Sequence, residues 1–230
     1  SINKVVSDIT PDYTFHLAAQ SYPKTSFDSP LDTYDTNISG TSTLLEAIKT
    51  FSRESCVHVC ASSEVFGRVP KDKIPINEEC SFHPASPYAI SKVGTDLVGR
   101  FYAEAYGMKI MTTRMFTHTG PRRGDVFAES TFAKQIALAE AGFIDPIIKV
   151  GNLDSMRTIA DVRDAVRAYH MLLTINPISG EFYNIGGSHS CTIKTILNDL
   201  INLSSIKEKL KIKVDKERIR PIDADLQVPD

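Results

Sequence analysis

Residues 56–61 read CVHVCA, residues 109–116 read KIMTTRMF, and between them Ser86-Pro87 opens the best helical stretch of the chain. Both runs are short and apolar, the pattern of strands covered on both faces of a parallel sheet. Serine at the N-cap accepts a bond from an early backbone N–H, and proline at N1 removes a donor the first turn cannot pair. A helix is therefore predicted over residues 87–106, with Gly107 as its stop.

Upstream, residues 1–9 read as the end of a helix, and Pro11-Asp12 breaks it. Residues 13–19 (YTFHLAA) form another short apolar run, followed by a polar loop and a helix over 31–52 that carries Leu44, Leu45, Ala47 and Ile48. Alternating apolar strands and helices predict an α/β fold: a doubly wound, mostly parallel, Rossmann-like sheet. Beyond Gly120 the elements shorten. Residues 127–140 read as helix, 146–150 as strand and 180–185 as strand, and residues 158–173 hold another helix. This alternation predicts a smaller appended α/β domain. The expected division is 1–120 with 155–187 for a Rossmann-like cofactor domain, and 121–154 with 188–230 for a substrate domain.

The 230 residues suffice for one substantial core with a smaller unit attached. Lysine and arginine number 26 against 28 aspartates and glutamates, and no basic stripe speaks for nucleic acid or an anionic membrane surface. No run of about 18 apolar residues and no charged-then-apolar leader is present, so a cytoplasmic protein is expected. Cys56, Cys60, Cys80 and Cys191 form no CxxC pair and no zinc spacing, and they read as reduced, buried thiols. No metal is called for. His16 and His58 lie within apolar runs and read as core residues rather than ligands.

Candidate chemistry begins with Tyr88 and Lys92. Positions i and i+4 share a helix face, and an ammonium beside a phenol would lower the phenol's pKa from about 10. That would make Tyr88 an acid/base near neutral pH. By itself the Tyr-x-x-x-Lys spacing is common on solvated helices. Its setting is less common. In doubly wound sheets ligands sit outside the carboxyl ends of the strands, and three apolar runs here end in small polar segments: Ala18-Ala19-Gln20-Ser21, Ser62-Ser63-Glu64 and Thr117-His118-Thr119-Gly120.

The segments HLAAQS, ASSEVFG, SPYAISK, RMFTHTGPRRG, GNLDSMR, DVRDAVRAY and RPIDADL, taken in order, resemble the extended short-chain dehydrogenase/reductase family. Within it they are most similar to the GDP-mannose 4,6-dehydratases and the related GDP-6-deoxy-4-keto-mannose reductases. The resemblance implies a sugar-nucleotide substrate and NADP (or NAD) as cofactor. It implies that Tyr88 takes the proton of the sugar C4 hydroxyl while Lys92 holds the nicotinamide ribose. Glu64 would remove the C5 proton, and Ser62, where the family usually has threonine, would help water leave from C6. It places Ala18, Ala19 and Gln20 at the cofactor's pyrophosphate and ribose, and His118 and Arg123 near the nicotinamide and phosphate. Thr117 stands where the dehydratases usually carry a substrate-contacting asparagine. Arg157 and Arg220 would hold the substrate's diphosphate through their planar forks of donors.

The same resemblance expects a G-x-x-G-x-x-G turn at the start of the fold, and this sequence contains none. The chain is therefore expected to be N-terminally truncated and to bind cofactor poorly alone. Three functions fit the residues. The first is a 4,6-dehydratase, the second a 4-keto sugar reductase or epimerase on the same scaffold, and the third a non-catalytic subunit. The helix at 87–106, with Leu97, Phe101 and Ala105 on one face, is expected to serve a homodimer or homotetramer.

Overall fold

The computed structural model describes residues 1–222 and 224–230. Along the chain run α1 (Ile2–Ile9), β1 (Tyr13–His16), α2 (Pro23–Asp28), α3 (Pro30–Tyr34), a π-helical turn (Asp35–Ser39), α4 (Gly40–Phe51) and β2 (Cys56–Cys60). A 3-10 turn at Ser63–Val65 precedes α5 (Pro87–Tyr106), β3 (Ile110–Met115), β4 (His118–Thr119) and α6 (Ala128–Glu140). Next come β5 (Ile147–Val150), β6 (Met156–Asp161), α7 (Val162–Thr174), β7 (Phe182–Ile185), β8 (His189–Thr192), α8 (Ile193–Leu203), β9 (Lys211–Val214) and β10 (Leu226–Gln227).

The main sheet has the order β1-β2-β3-β7, with every pair parallel. Parallel strands put all their carboxyl ends on one side, so the loops after β1, β2 and β3 meet there. One face of the sheet is sealed by α1, α4 and α5, where Leu45, Ile48, Val57, Val59 and Ile110 are at most 1% exposed. The other face packs beneath α7 through Met115, Tyr169, Met111 and Leu173. The chain is thus the doubly wound α/β fold that its alternation of elements predicts.

A second layer follows. β6 lies between β10 and β4 and also pairs antiparallel with β8. β5 and β9 form a separate parallel pair under α6 and α8, closed by Phe132, Ile136, Ile148, Val150 and Leu197. The short β4, which follows β3 closely, pairs in parallel with β6 and so joins the two layers beside the strand ends.

The best helix, α5, takes the predicted bounds. Ser86 Oγ accepts from the Ala89 N–H at 3.0 Å, a cap worth about 1 kcal/mol. Gly107 ends it at φ 64°, a left-handed conformation that costs glycine nothing sterically. Other bounds differ from the expectations. β1 stops at His16 rather than residue 19: its ladder with β2 runs from Tyr13 opposite Cys56 to His16 opposite Val59. The helix expected within residues 158–173 starts at Val162; Thr158 and Ile159 are held in the ladder with β8, and Asp161 caps α7 by accepting from the Arg163 N–H at 2.8 Å.

Candidate active site

The carboxyl ends of β2 and β3 open into a cleft of about 960 Å³ that reaches across to the second layer. Ser62, Glu64 and Tyr88 lie on one wall, and Thr117, His118 and Arg123 follow from the end of β3. Arg157 and Arg220 lie at the far end. Eight of the sequence-predicted positions therefore share one cavity, although they span residues 62 to 220.

Tyr88 is 8% exposed and sits in the first turn of α5. Its backbone N–H donates to Ser26 Oγ at 2.9 Å, and that hydroxyl donates to the Pro23 carbonyl at 2.6 Å. Its carbonyl accepts from Ser91 Oγ at 2.7 Å. The Ser62 hydroxyl lies close enough to the phenol to draw its pKa down. Ser62 in turn accepts from the Glu64 N–H at 3.2 Å, capping the 3-10 turn that carries the carboxylate. Glu64 is half-buried, in contact with both the cleft and the protein.

Lys92 corrects one expectation. Its ammonium donates to the Cys60 carbonyl at 2.8 Å and lies 6.0 Å from the centre of the Tyr88 ring. The phenol's pKa is not lowered. Burial pushes it well above its ordinary value, opposed by the nearby Ser62 hydroxyl and reinforced by the Glu64 charge, while Arg123 pulls the other way. Burial also lowers Lys92. Spacing placed the two groups on one helix face; it could not report that both are desolvated.

Ala18, Ala19, Gln20 and Lys92 lie outside the cleft wall. Ala18 is exposed, and Ala19 and Gln20 are half-buried. Gln20 faces inward: its N–H donates to Asn37 Oδ1 at 2.8 Å, and its side-chain amide donates to Thr33 Oγ1 at 3.0 Å. His118 Nδ1 lies 3.2 Å from the Phe116 carbonyl, which can only accept, so Nδ1 carries the hydrogen and Nε2 is left as an acceptor. Burial holds this histidine below its ordinary pKa. Arg123 lies against Phe127, 3.9 Å from the ring centre, and 2.5 Å from Glu129 in poor hydrogen-bond alignment. Arg157 is 9% exposed and donates to the Met156 carbonyl at 2.9 Å. Among the described residues no cluster of three or more His, Cys, Asp or Glu is placed to hold a metal.

Residues 1–230 match the family profile described as GDP-mannose 4,6 dehydratase. The chain belongs to the GDP-mannose 4,6-dehydratase family. It is 31% identical over 210 residues to GDP-6-deoxy-D-mannose reductase of Pseudomonas aeruginosa, covering 91% of this chain and 68% of that protein. To GDP-mannose 4,6-dehydratase of Yersinia enterocolitica it is 35% identical over 172 residues, 74% of this chain and 45% of the relative. The solved structure of RMD from Pseudomonas aeruginosa complexed with NADPH superposes with a TM-score of 0.88 at 29% identity, covering 99% of this chain and 76% of that one. This member of the GDP-mannose 4,6-dehydratase family thus spans about half to two thirds of the curated relatives it matches.

Sequence reasoning missed Asn37. It is 1% exposed, and its amide donates to the Gln20 carbonyl at 3.0 Å and to Ser91 Oγ at 2.8 Å while accepting from the Gln20 N–H. It joins the loop after β1 to the turn that holds Tyr88. The available signal was a run of poor helix formers, Asn37, Ser39, Gly40 and Thr41, inside an otherwise helical stretch. That run forms the π-helical turn and the start of α4. Lys24 and Arg218 also line the cleft; only position in the fold brings them there.

Proposed function

We propose that the protein carrying this chain is a sugar-nucleotide 4,6-dehydratase. It would convert GDP-mannose or a similar NDP-hexose to the 4-keto-6-deoxy sugar with bound NADP (or NAD). One observation carries the reading: Ser62, Glu64 and Tyr88 line a single cleft at the carboxyl end of β2. The NADPH in the Pseudomonas structure supports the cofactor class.

The residues present fit the nicotinamide end of such a cofactor, with a phenol, a hydroxyl and an amine close together. The chain's 12 glycines contain no glycine-rich turn for the pyrophosphate. The cofactor would supply reversible hydride storage, accepting at C4 of the sugar and returning at C6. Tyr88 Oη takes the C4 hydroxyl proton. Because burial favours the protonated phenol, Lys92 and the positive charge of an oxidised ring are needed to bring the phenolate within reach. Lys92 has three donors, so it can hold the Cys60 carbonyl and a ribose hydroxyl together. The C4 ketone acidifies the C5 proton, which Glu64 removes and delivers to the departing C6 hydroxyl, and water leaves. Ser62 steadies that hydroxyl. A solvent proton then enters at C5. Arg157 and Arg220 bind the diphosphate, and Thr117 meets the sugar.

Ala18, Ala19 and Gln20 would border the cofactor, with His118 and Arg123 nearer the nicotinamide. We assign residues 1–120 and 155–187 to the cofactor side and 121–154 and 188–230 to the substrate side. The exposed Leu97, Phe101 and Ala105 on α5 suit a homodimer or homotetramer. Among the described residues no helix is long and apolar enough to cross a membrane, which is compatible with a cytoplasmic enzyme.

The similarity to the Pseudomonas reductase supports a second reading, a 4-keto sugar-nucleotide reductase, which needs Tyr88 and Lys92 but no carboxylate at position 64. Incubation with GDP-mannose and catalytic NADP separates the two. A 4-keto-6-deoxy product without net cofactor turnover supports the dehydratase. Net NADPH consumption on a keto sugar, with none on GDP-mannose, sinks it.

A further inference from the structure

We propose that Arg114, buried on β3 away from the cleft, is a positioning residue for Glu64; the assignment rests on the dehydratase reading for what Glu64 does, and on geometry for how it is held. Arg114 is 1% exposed, and its guanidinium grips Asp96 of α5 with two bonds, Nε to Oδ2 at 2.8 Å and Nη2 to Oδ1 at 3.2 Å. The remaining terminal nitrogen donates to the Glu78 carbonyl at 2.8 Å. The same group lies 5.5 Å from the ring centre of Phe66 and 4.7 Å from that of Phe82.

Phe66 is fully buried and caps the 3-10 turn that carries Glu64; its N–H donates to the Ser63 carbonyl at 3.1 Å. The chain then turns at Gly67, where φ is 53° and an added Cβ would lie 1.8 Å from the His83 carbonyl oxygen, so this corner admits no side chain. Residues 65 and 83 close the loop, His83 N–H donating to the Val65 carbonyl at 3.1 Å. One buried guanidinium therefore touches the loop at Phe66, Glu78 and Phe82. A planar, delocalised cation can bond a carboxylate with two parallel donors while presenting its face to aromatic rings, and an ammonium cannot do both.

The Tyr88 end is held separately, by Ser26 at its N–H and by Ser91 and Asn37 behind it. Loosening Arg114 should thus move Glu64 and leave Tyr88 in place. The test is Arg114→Lys, which keeps a charge opposite Asp96 but loses the fork and the plane. Hydride transfer from C4, followed as transient reduced cofactor, is expected within about twofold of wild type. Exchange of the C5 proton with D₂O should fall at least about tenfold, with KM for the sugar nucleotide unchanged. Amide hydrogen exchange at Val65–Gly67 should rise about tenfold or more, and that at Tyr88–Lys92 should not. If the lysine variant fails to fold, Arg114→Gln with Asp96→Asn keeps a neutral bonded pair, and the same pattern is expected. Equal losses in both chemical steps, or unchanged exchange at Val65–Gly67 in a folded variant, would overturn the proposal. Should the wild-type enzyme move no hydride, the dehydratase reading fails, and the exchange pattern alone still decides whether Arg114 holds this turn.

Discussion

The two ends of the cleft are built differently. At the Tyr88 end, Ser62 and Tyr88 are each 8% exposed; the Tyr88 backbone is fixed by the Ser26 and Ser91 hydroxyls, and Ser62 accepts from the Glu64 N–H at 3.2 Å. At the other end burial is mixed: Arg157 is 9% exposed, whereas Arg218 is 39% exposed and pairs loosely with Asp215 at 3.6 Å. Reacting groups gain from being immobilised before substrate arrives, whereas a diphosphate can be gathered by long cationic side chains that settle around it. On the proposed reading, the Tyr88 end serves bond-making and the arginine end serves capture.

Substitutions should divide along that line. Tyr88→Phe removes the proton acceptor and is expected to lower C4 oxidation by about a thousandfold with KM little changed, read as formation of reduced cofactor. Glu64→Gln should leave C4 oxidation running and slow water elimination about a hundredfold or more, so that a 4-keto hexose retaining its C6 oxygen accumulates in the mass spectrum. At the capture end, Arg157→Met or Arg220→Met should raise KM about tenfold to a hundredfold with a smaller change in kcat, the loss of one charge-assisted bond. If the arginine variants instead lost kcat alone, the contrast between the ends would fail. Asn37→Ala leaves buried partners unpaired and is expected to lower stability by about 1–3 kcal/mol in denaturant unfolding, with some loss of C4 oxidation because Ser91 is released.

The smallest effect concerns pH. Burial holds His58 at about 3 and His16 at about 4, so both are neutral in the folded protein where the unfolded chain, near 6.5, takes up protons. Their contribution to stability is complete above about pH 6.5. It is lost at up to about 1.4 kcal/mol per pH unit per histidine as pH falls toward those values. Thermal melts over pH 4–7 should slope accordingly, and His58→Gln should flatten the slope.

Much of this was legible in the residues because the relevant signals are local. Ser86-Pro87 and Gly107 bound α5 to the residue, and the polar ends of β2 and β3 marked the cleft, whereas Ala18, Ala19 and Gln20 after β1 lie outside it. What stayed hidden depends on burial or on distant partners. The Tyr88–Lys92 spacing is a helix property, but the lysine's bond to the Cys60 carbonyl belongs to a neighbouring strand. Arg114 sits in an apolar run, and nothing nearby in sequence announces Asp96 or Phe82 as its partners. Asn37 looks like a weak spot in a helix until Gln20 and Ser91 are seen around it.

If the Tyr88 phenol and the Glu64 carboxylate address neighbouring carbons of one hexose, as proposed, they make a definite demand on isotopes. Full-length enzyme should be given GDP-mannose deuterated at C4, in ordinary water and with catalytic cofactor, and its product examined by NMR. The account predicts deuterium at C6 of the 4-keto-6-deoxy sugar and ordinary hydrogen at C5. Deuterium washed into solvent, or trapped on cofactor without a deoxy product, would contradict it.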